Sequence, residues 1–230
     1  MDAEFETRLQ AKDVSFETAD ARLLRAVDDQ RSLNAAADAL GRSFSRSHRR
    51  IKALEAVFGP LVERQRGGID GGGSELTDNA RDLLARFERL RTAYAGTAET
   101  EKTVVFGTVT QRSAELATVQ TPAGTVRALV STPADRVQVV LRADAITLHT
   151  PDAVPSTDGM SARNRLAGTI SYIDRGESIA RVACDVGIDA PLIALVTQRT
   201  IDEVGFRSDD PVVASFKATA TRTIPMERDR

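Results

Sequence analysis

The sequence predicts a two-domain α+β chain, helical in its N-terminal part and all-β in its C-terminal part. Three observations carry this. Apolar residues recur at helical spacing as far as about residue 96 and then begin to alternate. Five glycines crowd between Gly67 and Gly73, just past the third helical stretch. Segments of the second half echo one another in the same order.

Residues 1–19 read as an N-terminal extension, and residues 20–96 as the helical domain. Leu23, Leu24 and Val27 recur at helical spacing behind Asp20 as N-cap. Ser32 opens a second helix carrying Leu33, Ala36, Ala37 and Leu40, which Gly41 stops. Ser43 caps a third, whose core contacts are expected from Phe44, Ile51, Leu54 and Phe58, and Gly59-Pro60 ends it. An alanine-rich helix, a glycine turn and a helix with a polar, basic face make a helix-turn-helix. Leu61 to Arg64 then reads as a short strand, and the glycine cluster as the tip of a hairpin, the wing. No Gly-Lys-Ser/Thr follows, which argues against a phosphate-cradling loop. Thr77 caps a long amphipathic helix with Ala80, Leu83, Leu84, Phe87, Leu90 and Tyr94 on one stripe, suited to pairing with a second copy.

Charge points the same way. The net charge is −2, yet Arg31, Arg42, Arg46, Arg49, Arg50, Lys52, Arg64 and Arg66 face only Asp38, Glu55 and Glu63 between them. A basic block in a near-neutral chain suits a polyanion. The helix opened by Ser43 can enter the major groove, with Arg46 the candidate for bidentate contact to guanine and Ser45 and Arg49 beside it. Arg42, Arg50 and Lys52 are expected on phosphates or in solvent, and Ser43, Arg64 and Arg66 complete the expected DNA-binding set.

Residues 97–104 read as a linker. Alternation then appears at Val105, Gly107 and Val109, at Val126, Ala128 and Val130, and at Val137, Val139 and Leu141, separated by Thr, Gly and Pro. Gly107-Thr108-Val109 returns as Gly168-Thr169-Ile170, and Val139 to Ala143 as Ala214 to Ala218. The unit is therefore a tandem repeat of one small β-barrel. A degenerate copy spans 105–150, a connection 151–160, the second copy 161–224, and a tail 225–230.

Composition narrows the function. Aromatic residues are 4% of the chain and no stretch is apolar enough to span a membrane. The N-terminus is not a signal peptide, so a cytoplasmic protein is expected. Cys184 stands alone, and His48 and His149 are far apart, so no disulfide or metal site is expected. No catalytic constellation stands out, and neither an enzyme nor a catalytic cofactor is expected.

Residues Leu23 to Leu84, with "SLNAAADALGRSFSRSHRRIKALEAVFGPLVER" and a glycine wing ending in "LT", resemble the DNA-binding domain shared by the LysR and ModE families. The wing is closer to ModE. In the second copy, "SARNRLAGTI", "LVTQRTIDEVGF" and "SFKATA" resemble the Mop (TOBE) motif, an OB-like barrel whose members bind molybdate or tungstate where subdomains meet and which exchange strands. The resemblance implies Ser161, Arg163, Thr197, Thr200, Lys217 and Ala218 as oxyanion contacts. It also implies a homodimer on promoter half-sites of double-stranded DNA, about 34–36 Å apart. A tetrahedral dianion needs converging hydroxyls, amides and cations, which is what these residue types supply. The first copy lacks the Ser-Ala-Arg-Asn and Thr-Gln-Arg-Thr segments and has Arg142 where the second has Lys217. The expected function is a transcriptional regulator answering to molybdate or tungstate, controlling oxyanion transport or molybdenum-cofactor genes. The alternatives are a molybdate or tungstate storage protein and a DNA-binding regulator with ligand-free barrels.

Overall fold

The structure is a computed structural model that describes residues 7–64, 73–156 and 159–226. The chain divides into two compact units, residues 1–99 and 100–230.

Within the expected N-terminal extension the first unit has a hairpin. Strands β1 (Arg8–Ala11) and β2 (Val14–Glu17) pair antiparallel. The hairpin delivers Phe16 to the core, fully buried and edge-on to Phe58 and Phe87 at ring-centroid distances of 6.2 and 5.4 Å. Helix α1 (Thr18–Gln30) follows directly, so the expected N-cap shifts. Glu17 holds the cap position, and Asp20, three residues into the turn, accepts the Glu17 N–H on Oδ2 at 2.9 Å. Ser32 caps α2 (Leu33–Ala39) and Ser43 caps α3 (Phe44–Phe58), as their sequence positions require.

The inner meridian of α3 is set by Ser47, Ile51 and Leu54. Phe44 lies off that meridian and is 40% exposed, stacked on His48 at 5.7 Å, so it is no core residue. Glu55 fixes the exit from α3. Its Oε1 accepts the N–H groups of Leu61 and Val62, both at 3.1 Å, while Oε2 meets Lys52 Nζ at 2.9 Å. Burial would raise the carboxyl's pKa, but Lys52 and the two amides outweigh it and hold it below the usual range. The wing stands on β3 (Val62–Arg64) and β4 (Ser74–Leu76), paired from Val62↔Leu76 to Arg64↔Ser74. Its expected tip, including Arg66, lies outside the described residues. Thr77 caps α4 (Asp78–Glu99), accepting the Ala80 N–H at 3.1 Å. Because α4 runs to Glu99 and β5 begins at Lys102, the expected 97–104 linker shrinks to a short joint. On the expected stripe Ala80, Leu83 and Phe87 are buried, whereas Tyr94 is 51% exposed.

The second unit contains both expected copies, with an added exchange. The first copy supplies β5 (Lys102–Ser113), β6 (Leu116–Thr121), β7 (Gly124–Val130), β8 (Arg136–Arg142) and, after a 3-10 turn at Ala143–Ala145, β9 (Thr147–His149). The second supplies β10 (Asn164–Arg175), β11 (Ile179–Asp185), β12 (Leu192–Thr197), β13 (Pro211–Phe216), a 3-10 turn at Ala218–Ala220, and β14 (Arg222–Pro225). Between β12 and β13 the second copy alone inserts α5 (Gln198–Val204), where the sequence predicted only a barrel segment. The last strands change places. Strand β14 closes the first barrel, parallel to β7 and antiparallel to β8, while β9 joins the second sheet beside β13 in the order β12-β11-β10-β13-β9. One hydrophobic core runs through both copies, from Val105, Val119 and Val139 to Val182, Ala214 and Phe216.

Two features locate the repeat's pivot. Both long strands shift register at matched places, Val109/Gln111 in β5 and Ile170/Tyr172 in β10. Just ahead of each shift is a glycine. A Cβ on Gly107 would stand 2.5 Å from Val119 Cγ1, and one on Gly168 would stand 2.2 Å from the Asp185 carbonyl oxygen. A backbone oxygen cannot retreat as a side chain can. Gly168→Ala is therefore expected to cost more than about 3 kcal/mol, at the severe end of single substitutions. Denaturant unfolding checks this, against Gly187→Ala, where the open space leaves only the cost of a positive φ.

The exchanged strand β9 is tied by His149 Nε2 to Ser215 Oγ at 2.7 Å. Burial, with the nearby Arg165 guanidinium second, lowers the His149 pKa. The unfolded chain therefore takes up the proton first, and the neutral imidazole's contribution is lost as pH falls below about 6.5. Stability should decline between pH 7 and 5 in the wild type and decline less in His149→Gln. Parallel profiles would show that this histidine is not responsible.

Candidate functional site

In the first unit the described candidates separate into free and committed groups. At about 100° per residue, Ser45 and Arg49 fall opposite the buried Ser47, Ile51 and Leu54, on the outermost line of α3. Both are exposed. Arg46 is also exposed, but it lies on the flank that faces Arg50, one turn away. Among the described residues, Ser45, Arg46 and Arg49 enter no side-chain hydrogen bond or ion pair. Ser43 is taken up as N-cap, accepting the Arg46 N–H at 3.4 Å. Arg42 Nη1 donates to the Ala19 carbonyl at 3.3 Å, and Lys52 is paired with Glu55. Arg64 sits at the end of β3, at the base of the wing.

Arg50 has a partner within the fold that the sequence did not indicate: Nε donates to Asp20 Oδ1 at 2.7 Å and Nη2 to Asp20 Oδ2 at 2.6 Å and to the Ser15 carbonyl at 2.6 Å. The hydrogen bond to Asp20 raises its pKa, against some loss from burial. Because the Asp20 side chain is 4% exposed, its carboxylate needs this partner. Arg50 thus fastens the recognition helix to α1 and to the N-terminal hairpin. Arg50→Ala should destabilise the N-terminal unit by about 3–5 kcal/mol by stranding a buried charge. Thermal unfolding checks this, since a mere phosphate contact would leave the free protein's Tm unchanged.

In the second unit the candidate ligands form two groups. The register Asn164↔Phe216 sets Arg163 and Lys217 side by side in the chain fold, just beyond the paired ends of β10 and β13. Ser161 precedes them and Ala218 follows. Asn164, 4% exposed, clamps this corner onto the other copy: its Oδ1 accepts the Arg127 N–H and its Nδ2 donates to the Arg127 carbonyl, both at 2.8 Å. The turn after Lys217 also docks on β7, with Leu129 N–H donating to the Thr221 carbonyl at 2.9 Å. The result is a junction between copies at which Arg163 and Lys217, both exposed, are neighbours in register and which Asn164 ties to the Arg127 backbone. None of the ion pairs among the described residues involves them.

Thr197 and Thr200 lie elsewhere. Thr197 caps α5, accepting the Thr200 N–H at 3.2 Å, and the two hydroxyls are 2.8 Å apart. Thr197 pairs with Ile179, whose neighbour Ala180 pairs with Arg175, at the far end of β10 from Asn164. Within one chain the six expected contacts are thus split four and two.

Internal symmetry supplies a comparison. At the reciprocal junction Thr103 takes the place of Asn164, accepting the Ile193 N–H at 3.1 Å and donating to the Pro191 carbonyl at 3.3 Å. There the cations are consumed. Arg142, the counterpart of Lys217, donates through Nε to Asp144 Oδ1 at 3.0 Å, and Arg181 grips both Glu101 oxygens at 2.6 Å while lying over the Tyr172 ring. Arg181 holds the Glu101 carboxyl below its usual range, although burial opposes. The second copy has Thr219 where the first has Asp144. One junction is cationic and open, while the other is neutralised.

Sequence reasoning did not find Asn164 or Arg127. The only available signal was a polar residue at a position where β10 turns inward. Cys184 is buried, which pushes its thiol up to about 11 and leaves it unreactive. Among the described residues no cluster of His, Cys, Asp and Glu could hold a metal, and no helix is long and apolar enough to cross a membrane.

Known proteins align with this division. Residues 18–81 match the bacterial regulatory helix-turn-helix protein family of lysR type, and residues 160–222 match the TOBE domain. The molybdenum transport protein ModE of Herbaspirillum seropedicae is 28% identical over 233 aligned positions, covering 86% of this chain and 87% of that protein. A solved structure of the cytoplasmic molybdate-binding protein ModG with molybdate bound is 23% identical, covers 54% of this chain and 96% of its own, and superposes with a TM-score of 0.47.

Proposed function

We propose that this chain, a ModE-type regulator by its lysR-type helix-turn-helix and its TOBE domain, binds promoter DNA as a cytoplasmic homodimer and responds to molybdate or tungstate. The observation that carries the ligand half is the contrast between junctions. Arg163, Lys217 and Ser161 offer charge and a hydroxyl where no acid competes among the described residues, and the Ala218 backbone N–H can add to them. The matching place in the first copy is occupied by Asp144 and Glu101, so one anion per chain is expected.

Thr197 and Thr200 complete the donor set from a second copy of the chain, which makes ligand binding and dimerisation one equilibrium. The exposed end of the α4 stripe, at Tyr94, supports pairing of the same kind in the N-terminal unit. Anion capture across such an interface biases the placement of the two helix-turn-helix units, and by linkage DNA strengthens anion binding in return. Ser45 and Arg49 face outward on α3 for base edges, with Arg46 beside them. The protein is a regulator and not an enzyme.

Titration calorimetry with molybdate, tungstate and sulfate tests the ligand half. Lys217→Ala removes a charge-assisted bond worth about 1.5–3 kcal/mol, so molybdate should bind roughly ten- to a hundredfold more weakly. Arg142→Ala, at the neutralised junction, should bind as the wild type does. Absence of heat with every anion, or equal losses in both variants, would remove this assignment.

A further inference from the structure

The flank of α3 carries a second feature, distinct from its outward face. Gly41, Arg42, Ser43, Arg46, Ser47 and Arg50 line a cavity of about 270 Å³ at the helix's N-terminal turn. Ser47 is 2% exposed, and its Oγ has no hydrogen-bond partner. A buried hydroxyl without a partner is costly, and Ser47 stands on the inner meridian, where Ile51 and Leu54 are apolar. Packing alone would be better served by alanine or valine. The other walls are cationic: Arg46 has no partner among the described residues, and Arg42 and Arg50 spend only part of their five donors on Ala19, Asp20 and Ser15. Helix α3 has 15 residues, so its first turn adds free N–H groups and the positive end of the helix dipole. A buried hydroxyl donor, three guanidinium groups and a helix N-terminus together describe a receptor for a tetrahedral monoanion.

From this we infer that the cavity seats one phosphodiester group of the DNA backbone, with Ser47 Oγ–H and Arg46 as its donors, and so sets the depth and rotation of α3 in the groove. The inference rests on the DNA-binding reading above. It gives Arg46 a positioning role and leaves base reading to Ser45 and Arg49. A phosphate contact strengthens binding to every sequence equally, whereas a base contact discriminates.

Fluorescence anisotropy of the full chain tests this, using the duplex upstream of its own gene and a random duplex over a series of salt concentrations. Ser47→Ala should weaken both duplexes three- to tenfold, leave their affinity ratio unchanged, and leave Tm unchanged or higher. Arg46→Ala should lower the salt slope by about one with the ratio again unchanged, while Arg49→Ala should lower the ratio. The same chemistry exists in free phosphate, so Tm is also measured in inorganic phosphate against chloride of equal ionic strength, where no difference is expected. A phosphate-dependent rise in Tm that Ser47→Ala abolishes would overturn the duplex as occupant. Wild-type affinity in Ser47→Ala, or a ratio that falls in Arg46→Ala with the slope intact, would overturn the pocket while leaving DNA binding in place. A wild-type chain that binds neither duplex would remove the DNA-binding reading itself.

Discussion

Each copy in the C-terminal unit is one strand short, and the other copy supplies the missing strand. Strand β14 lies between β7 and β8, where the first barrel would otherwise be open, and β9 covers the edge of β13. This reciprocal loan explains why the core is continuous across both copies and why Asn164 and Thr103, at equivalent positions, each reach across to the opposite copy. An unpaired sheet edge is a row of unsatisfied amides and carbonyls, so neither copy is a sound barrel alone. The junctions exist because the strands cross there.

A symmetric frame with asymmetric charge is the second theme. Backbone geometry repeats closely enough that both long strands shift register at matched positions and both eighth-strand equivalents end in a 3-10 turn. On that frame a few side chains decide the chemistry. Asp144 answers Arg142, and Glu101 answers Arg181, whereas Thr219 leaves Lys217 without an acid in the same turn. A dianion brought to the neutralised junction would have to displace existing ion pairs, and one brought to the cationic junction would not. In the N-terminal unit the same question, which cations are already spent, divides Arg50 from Arg49 one residue away.

What could be read from the sequence follows the range of the interactions. Caps at Ser32, Ser43 and Thr77 depend on three or four neighbouring residues, and each is where local chemistry placed it. The tandem repeat was legible from glycines and alternating valines because both report local backbone requirements. The ion pair of Arg50 was not legible because its partner Asp20 is thirty residues away and stands where local chemistry points to a helix cap. The hairpin β1–β2 was missed because two four-residue strands carry little periodicity, although Phe16 anchors the core. Strand exchange is a matter of topology, and the clamp from Asn164 to Arg127 spans a large sequence separation with no local signature. Family resemblance named the candidate ligand residues. It did not show that one chain holds them apart.

The exchange has a further consequence for behaviour on dilution. Because β9 and β14 are traded within a single polypeptide, each finds its place at the high effective concentration a short tether provides. The barrel and the sheet that exchange these strands are therefore formed at any protein concentration, whereas a contact between chains would obey mass action. A cell that keeps only a few copies of this protein would hold the exchanged sheets fully assembled, and any pairing of chains of the kind proposed above would stay adjustable. The covalent fusion of two copies thus separates what must always be built from what can respond.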